Sequence, residues 1–131
     1  MTQDINYSDI VRALAKPGAA IVETLTPEKA HAIHMAIGIS GEAGELLDAI
    51  KKYVIYNKDL DRTNVIEELG DISFYFEGLC QGLNITREEI LAANITKLSV
   101  RYNGLKYSDK AAQERADKNV SAFPPFNIPS K

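Results

Sequence analysis

Cys80 is the only cysteine, so the chain can close no intramolecular disulfide. Tryptophan is absent, which leaves Tyr and Phe, and less readily His, to stack on an aromatic ligand. Histidine is scarce as well. His31 and His34 stand three apart, but an H-x-x-H spacing without a third soft ligand is usually incidental and does not make a zinc centre. Cationic surplus is also missing: 15 Lys and Arg face 18 Asp and Glu, for a net charge of −3. That balance excludes a general binder of nucleic-acid polymers, which needs an excess of positive charge. A small phosphorylated ligand stays admissible, because metal ions supply positive charge locally. The longest apolar stretches are too short to span a bilayer and no basic leader precedes one, so no membrane partner and a cytoplasmic location are expected. Finally, no alternating Val/Ile/Thr run of useful length occurs, and with it goes the signal for strands.

What remains is helical. With 45% hydrophobic and 25% charged residues, the composition is that of a folded domain, and 131 residues suit one domain with a modest core. A short helix is expected after Ser8, ending before Lys16, Pro17 and Gly18, with Gly18 to Leu25 as a connector. Thr26, Pro27 and Glu28 form a helix start: a capping hydroxyl, a proline suited to the first turn, and an acid that favours the dipole. From there apolar residues recur at helical spacing to about Tyr56, through Ile33, Ile37, Leu47, Ile50 and Val54. Gly38, Gly41 and Gly44 fall inside this segment, each costing roughly 1 kcal/mol relative to Ala. That cost calls for either a break near Ser40 or close packing. After a polar loop at Asn57 to Arg62, a third helix runs from about Thr63 to Gly82, with Ile66, Leu69, Ile72, Phe76 and Leu79 facing a core. Thr86 and Glu89 have capping-box spacing and open a fourth helix to about Arg101, and Ser108 caps a final one to about Lys118. The expected fold is all-α: an antiparallel bundle of four to five helices over 1–118, followed by an extended Pro-rich tail over 119–131.

Two pairs of acids stand out. Glu42 and Glu45 are three apart on the second long segment's helix face, and Glu68 and Asp71 repeat the spacing on the next helix. Either pair alone is ordinarily a solvated face. Acids so spaced repel, so local stability explains neither. If the helices pack antiparallel across the short loop, the pairs face each other, and four crowded carboxylates need neutralising cations. All-oxygen ligation suits Mg²⁺, with Mn²⁺ as the alternative. Asp48 and Glu67 are weaker candidates by helical angle. Gly38, Gly41 and Ala49, near the first pair, leave room for a ligand against the backbone. Tyr75, a turn beyond Asp71, is a stacking candidate or an ordinary core-edge tyrosine, and His34 lies on the Glu45 side, about three turns upstream, as a ligand-contact candidate. Asn94, Lys97 and Arg101 share a face of the fourth helix. Their cations either grip phosphate oxygens or relieve the helix C-terminal dipole, and beside a metal site the first reading is preferred.

The stretches GEAGELLDAIKK (from Gly41), EELGDI (from Glu67) and NITKLSVRY (from Asn94) together resemble the MazG-like nucleotide pyrophosphohydrolases, over about His31 to Ser108. Glu42 and Glu45 match that family's E-x-x-E motif, Glu68 and Asp71 its E-x-x-D motif, and Asn94 to Tyr102 its N-x-x-K-L-x-x-R-Y pattern. Asn103 departs from the proline that many relatives carry after this pattern. The resemblance implies an all-α homodimer or homotetramer with Mg²⁺ on the four acids. It also implies hydrolysis of nucleoside triphosphates to monophosphate and pyrophosphate, with Lys97 and Arg101 on the phosphates and Asn94 assisting. A di-iron carboxylate bundle is the rival enzyme, but it needs two Glu-x-x-His motifs and only Glu28 with His31 has that spacing. The non-enzymatic alternatives are a helical interaction module and a nucleotide-binding regulator without turnover.

Overall fold

The computed structural model describes residues 4–119. They form α1 (Tyr7–Leu14), α2 (Gly18–Glu23), α3 (Pro27–Val54), α4 (Arg62–Leu83), α5 (Arg87–Arg101) and α6 (Asp109–Glu114). Single 3₁₀ turns lie at Asn103–Leu105 and Ala116–Asn119. No strand occurs among the described residues, and none of their helices is long and apolar enough to cross a membrane. Beyond Asn119 the expected extended tail lies outside the described residues.

The starts follow their capping chemistry. The Thr26 hydroxyl accepts from the Lys29 amide, and Asp61 accepts from the Asn64 amide to open α4. At α5 the reciprocal box is complete: the Thr86 hydroxyl accepts from the Glu89 amide at 3.1 Å while Glu89 Oε2 accepts from the Thr86 amide at 2.7 Å. Left-handed asparagines shape the turns. Asn57 (φ 49°) follows α3, and Asn84 (φ 55°) ends α4 with the Ile85 amide reaching back to the Cys80 carbonyl. Three details differ from expectation. Asn6, not Ser8, caps α1. Gly18–Glu23 is helix where a connector was expected, and Pro17 offers that short helix no side-chain cap. The final helix stops at Glu114, because Arg115 turns left-handed (φ 48°) and the chain continues as a 3₁₀ turn.

The centre of the fold is the α3–α4 hairpin. α3 runs unbroken through Ser40, so close packing and not a break accounts for Gly38. A Cβ there would drive into the Tyr75 ring, one at Gly78 into Met35, and one at Gly82 into His31. These contacts define an antiparallel register: His31 opposes Gly82, Met35 opposes Gly78 and Gly38 opposes Tyr75, each step up α3 matched by an equal step down α4. His31 Nε2 seals the far end with a 2.8 Å hydrogen bond to the Gly78 carbonyl. α5 packs chiefly against the two 3₁₀ turns and α6, its C-terminal neighbours in the chain.

A single chain leaves much of its apolar surface uncovered. Among the described residues only Met35, Ala49 and Cys80 are buried apolar side chains. Ile66 and Leu69, expected to face a core, are 58% and 48% exposed, and Ile37 and Leu47 are also exposed. Periodicity marks these faces as apolar, but the hairpin buries only the narrow seam where its two helices touch.

Candidate metal and nucleotide site

Continuing the hairpin register past Gly38 and Tyr75 brings Glu42 opposite Asp71, and Glu45 opposite Glu68. One carboxylate oxygen from each of Glu42, Glu68 and Asp71 lies within 4.8 Å of the others. Glu68 is the buried member, and its Oε2 has no hydrogen-bond partner. Its pKa is pushed up to about 7, first by a hydrogen-bonding contact with Glu42, then by burial, then by the charge of Glu45. Buried acids without counter-charge are unfavourable. Here three carboxylates converge, one of them carrying a buried unpartnered oxygen, with no sulfur and no imidazole in the group. Such a donor set fits a hard divalent cation.

Glu45 stands just outside this close trio. It lines a cleft of about 530 Å³ together with Gly41, Gly44, Asp48, Lys52, Asn64 and Glu68. Gly41 and Gly44 face open space in this cleft, since a Cβ at either position would meet nothing within 4 Å. Gly38 differs: the room expected there for a ligand is filled by Tyr75. The weaker candidate Asp48 is tied to Lys52 at 2.8 Å, which holds its carboxyl below the usual range, and Glu67 is exposed.

Tyr75 is half-buried. Its ring meets His34 edge-on at 6.2 Å between centroids and Phe74 at 5.3 Å. Tyr75 is therefore packed within the hairpin, with His34 exposed beside it. His31 is committed to the Gly78 carbonyl, and neither histidine belongs to a three-ligand group among the described residues. On α5, Asn94 is exposed and Lys97 half-buried, while Arg101 is engaged by Asp117. Sequence reasoning missed Asp117, because nothing local connects a residue in the final turn to the end of α5.

A family model, the MazG nucleotide pyrophosphohydrolase domain, matches residues 31–105. The chain belongs to this family. The match covers more than half of the 131 residues, beginning at the histidine that seals the hairpin and ending in the first 3₁₀ turn. It spans all four acids as well as Asn94, Lys97 and Arg101. Asp117 lies beyond the MazG match. No curated protein and no solved structure matches the chain. MazG membership therefore carries the family-level activity, nucleotide pyrophosphohydrolysis, and the all-α architecture.

Proposed function

We propose that this protein is a Mg²⁺-dependent nucleoside triphosphate pyrophosphohydrolase that converts NTP or dNTP and water to NMP and pyrophosphate. Housekeeping of the cytoplasmic nucleotide pool is its role in this reading. The observation that carries it is the convergence of Glu42, Glu68 and Asp71, with Glu68 buried and its Oε2 unpartnered.

Glu42, Glu68 and Asp71 hold the cation, with Glu45 as the fourth ligand or its neighbour; Mn²⁺ is the substitute ion. When bound, a cation would neutralise these acids and supply Lewis-acid chemistry for attack of water on a phosphoryl group. Glu45 lines the open cleft just outside the trio, so its carboxylate, unless taken up as the fourth ligand, orients the attacking water or takes its proton. In-line attack at the α-phosphorus releases pyrophosphate. Lys97 and Arg101 offset the negative charge that gathers on that leaving group, and Asn94 adds a neutral donor. His34, exposed and edge-on to the packed Tyr75 ring, forms the aromatic side of the nucleotide site together with the part of Tyr75 that the hairpin leaves uncovered.

The apolar residues left uncovered on α3 (Ile37, Leu47) and on α4 (Ile66, Leu69) support assembly into a homodimer or homotetramer, since so much exposed apolar surface is unfavourable in water. The test of the activity is a panel of nucleoside triphosphates with Mg²⁺, products separated chromatographically. Monophosphate plus pyrophosphate is expected from wild type and neither from Glu68→Gln of unchanged helicity. Diphosphate plus phosphate would refute the reaction, and no turnover of any triphosphate would favour the regulator without catalysis.

A further inference from the structure

Arg101 is the last residue of α5, and its guanidinium is held by an acid 16 positions later. Nε donates to Asp117 Oδ1 at 2.7 Å and Nη2 donates to Oδ2 at 3.2 Å. The Asp117 side chain is 1% exposed and that of Arg101 17%. A buried acid is an expensive anchor, and apolar packing would fasten a final turn equally well, so the pair's use lies in the geometry it imposes. Reaching that geometry also takes a left-handed Arg115, the non-glycine residue that stops α6 and turns the chain back toward α5.

Arginine has five N–H donors in a rigid plane, arranged as a side-on fork (Nε, Nη2) and an end-on fork (Nη1, Nη2). Asp117 takes the side-on fork. Asp117 leaves both Nη1 hydrogens and one on Nη2, with the Tyr102 side chain as a further neighbour, a pattern that suits two oxygens of a phosphate. Lys97 lies one turn back on the same face of α5. Resting on the reading of Arg101 as a phosphate contact, we propose that Asp117 is a positioning residue: by clamping the side-on fork it fixes the arginine plane so that the end-on fork meets the triphosphate.

Inorganic tripolyphosphate with Mg²⁺ is the probe, titrated calorimetrically into wild type, Asp117→Asn, Arg101→Ala and the exchange Arg101→Asp with Asp117→Arg, with thermal melts in parallel. One charge-assisted contact corresponds to about a tenfold change in affinity. Asp117→Asn and Arg101→Ala are each expected to weaken tripolyphosphate by about that factor. The exchange is expected to recover the melting temperature but not the affinity. Loss of melting temperature in Asp117→Asn with unchanged affinity would overturn the proposal and leave Asp117 as an anchor of the final turn. An exchange variant that binds as wild type would overturn it too. Unchanged affinity in Arg101→Ala, or no binding by wild type, would instead remove the phosphate role of Arg101, and the proposal with it.

Discussion

In the proposed site magnesium and a proton compete for Glu68, and the competition can be measured. An ordinary glutamate titrates near 4.3 and is ionised at pH 6. Glu68, pushed up to about 7 by Glu42, burial and Glu45, is not. At pH 6 it carries about 0.9 of a proton, and at pH 8 about 0.1. A cation must displace that proton, so Mg²⁺ affinity should fall about tenfold per pH unit below 7, or about a hundredfold between pH 8 and pH 5. Calorimetric titration of Mg²⁺ at pH 6 in two buffers of different protonation enthalpy counts the protons released; close to one is expected, falling toward zero at pH 8. The metal-free stability has its own sign. Because folding raises the pKa, Glu68 favours the fold fully below about 4.5 and loses that contribution as pH climbs through about 7. In EDTA the melting temperature should therefore drop between pH 5 and pH 8, and Glu68→Gln should flatten that drop. Zero proton release at pH 6, or an equal drop in the Gln variant, would refute the crowding of these acids.

Packing has consequences of its own. Gly38→Ala should cost about 1–3 kcal/mol in denaturant unfolding, because its Cβ drives into Tyr75, and less in a Tyr75→Ala background. Thr86→Ala removes half of the α5 capping box and should cost about 1 kcal/mol by the same measurement. Light scattering should give a multiple of the 14.4 kDa chain mass, and Ile37→Glu on the exposed α3 face should shift the particle toward one chain; a monomeric wild type would contradict assembly.

Much of this fold was legible because its punctuation is local. Thr26–Pro27 and Thr86–Glu89 announce α3 and α5 by side-chain groups that reach their own backbone, and both helices begin there. The helix at Gly18–Glu23 carries no such mark, so its Ala and Val residues read as a connector. The acid pairs were visible as spacing, yet the sequence could not say how far the hairpin slides. Gly38 resolves that point only in three dimensions, through the ring that fills it. Ile66 and Leu69 show a different limit: helical periodicity identifies an apolar face without identifying what covers it. Asp117 was illegible for a third reason, since its partner is 16 residues away and nothing in the spacing predicts the left-handed turn at Arg115 between them.

The register also explains why the two acid motifs need each other. In an antiparallel helix pair, an interval on one helix meets only the same interval on the other. Gly38, Gly78 and Gly82 admit Tyr75, Met35 and His31, and so lock the slide between α3 and α4. With that slide set, an E-x-x-E on α3 opposes an E-x-x-D on α4 at both positions. Moving either helix by one residue would rotate its acids by about 100° and separate them. The packing residues between His31 and Tyr75 thus act at a distance on the carboxylates: they make the repulsive arrangement at Glu68 unavoidable in the folded chain, and in the proposed site a cation relieves it. On this argument Gly38→Ala should weaken Mg²⁺ binding as well as the fold, although Gly38 itself touches no acid.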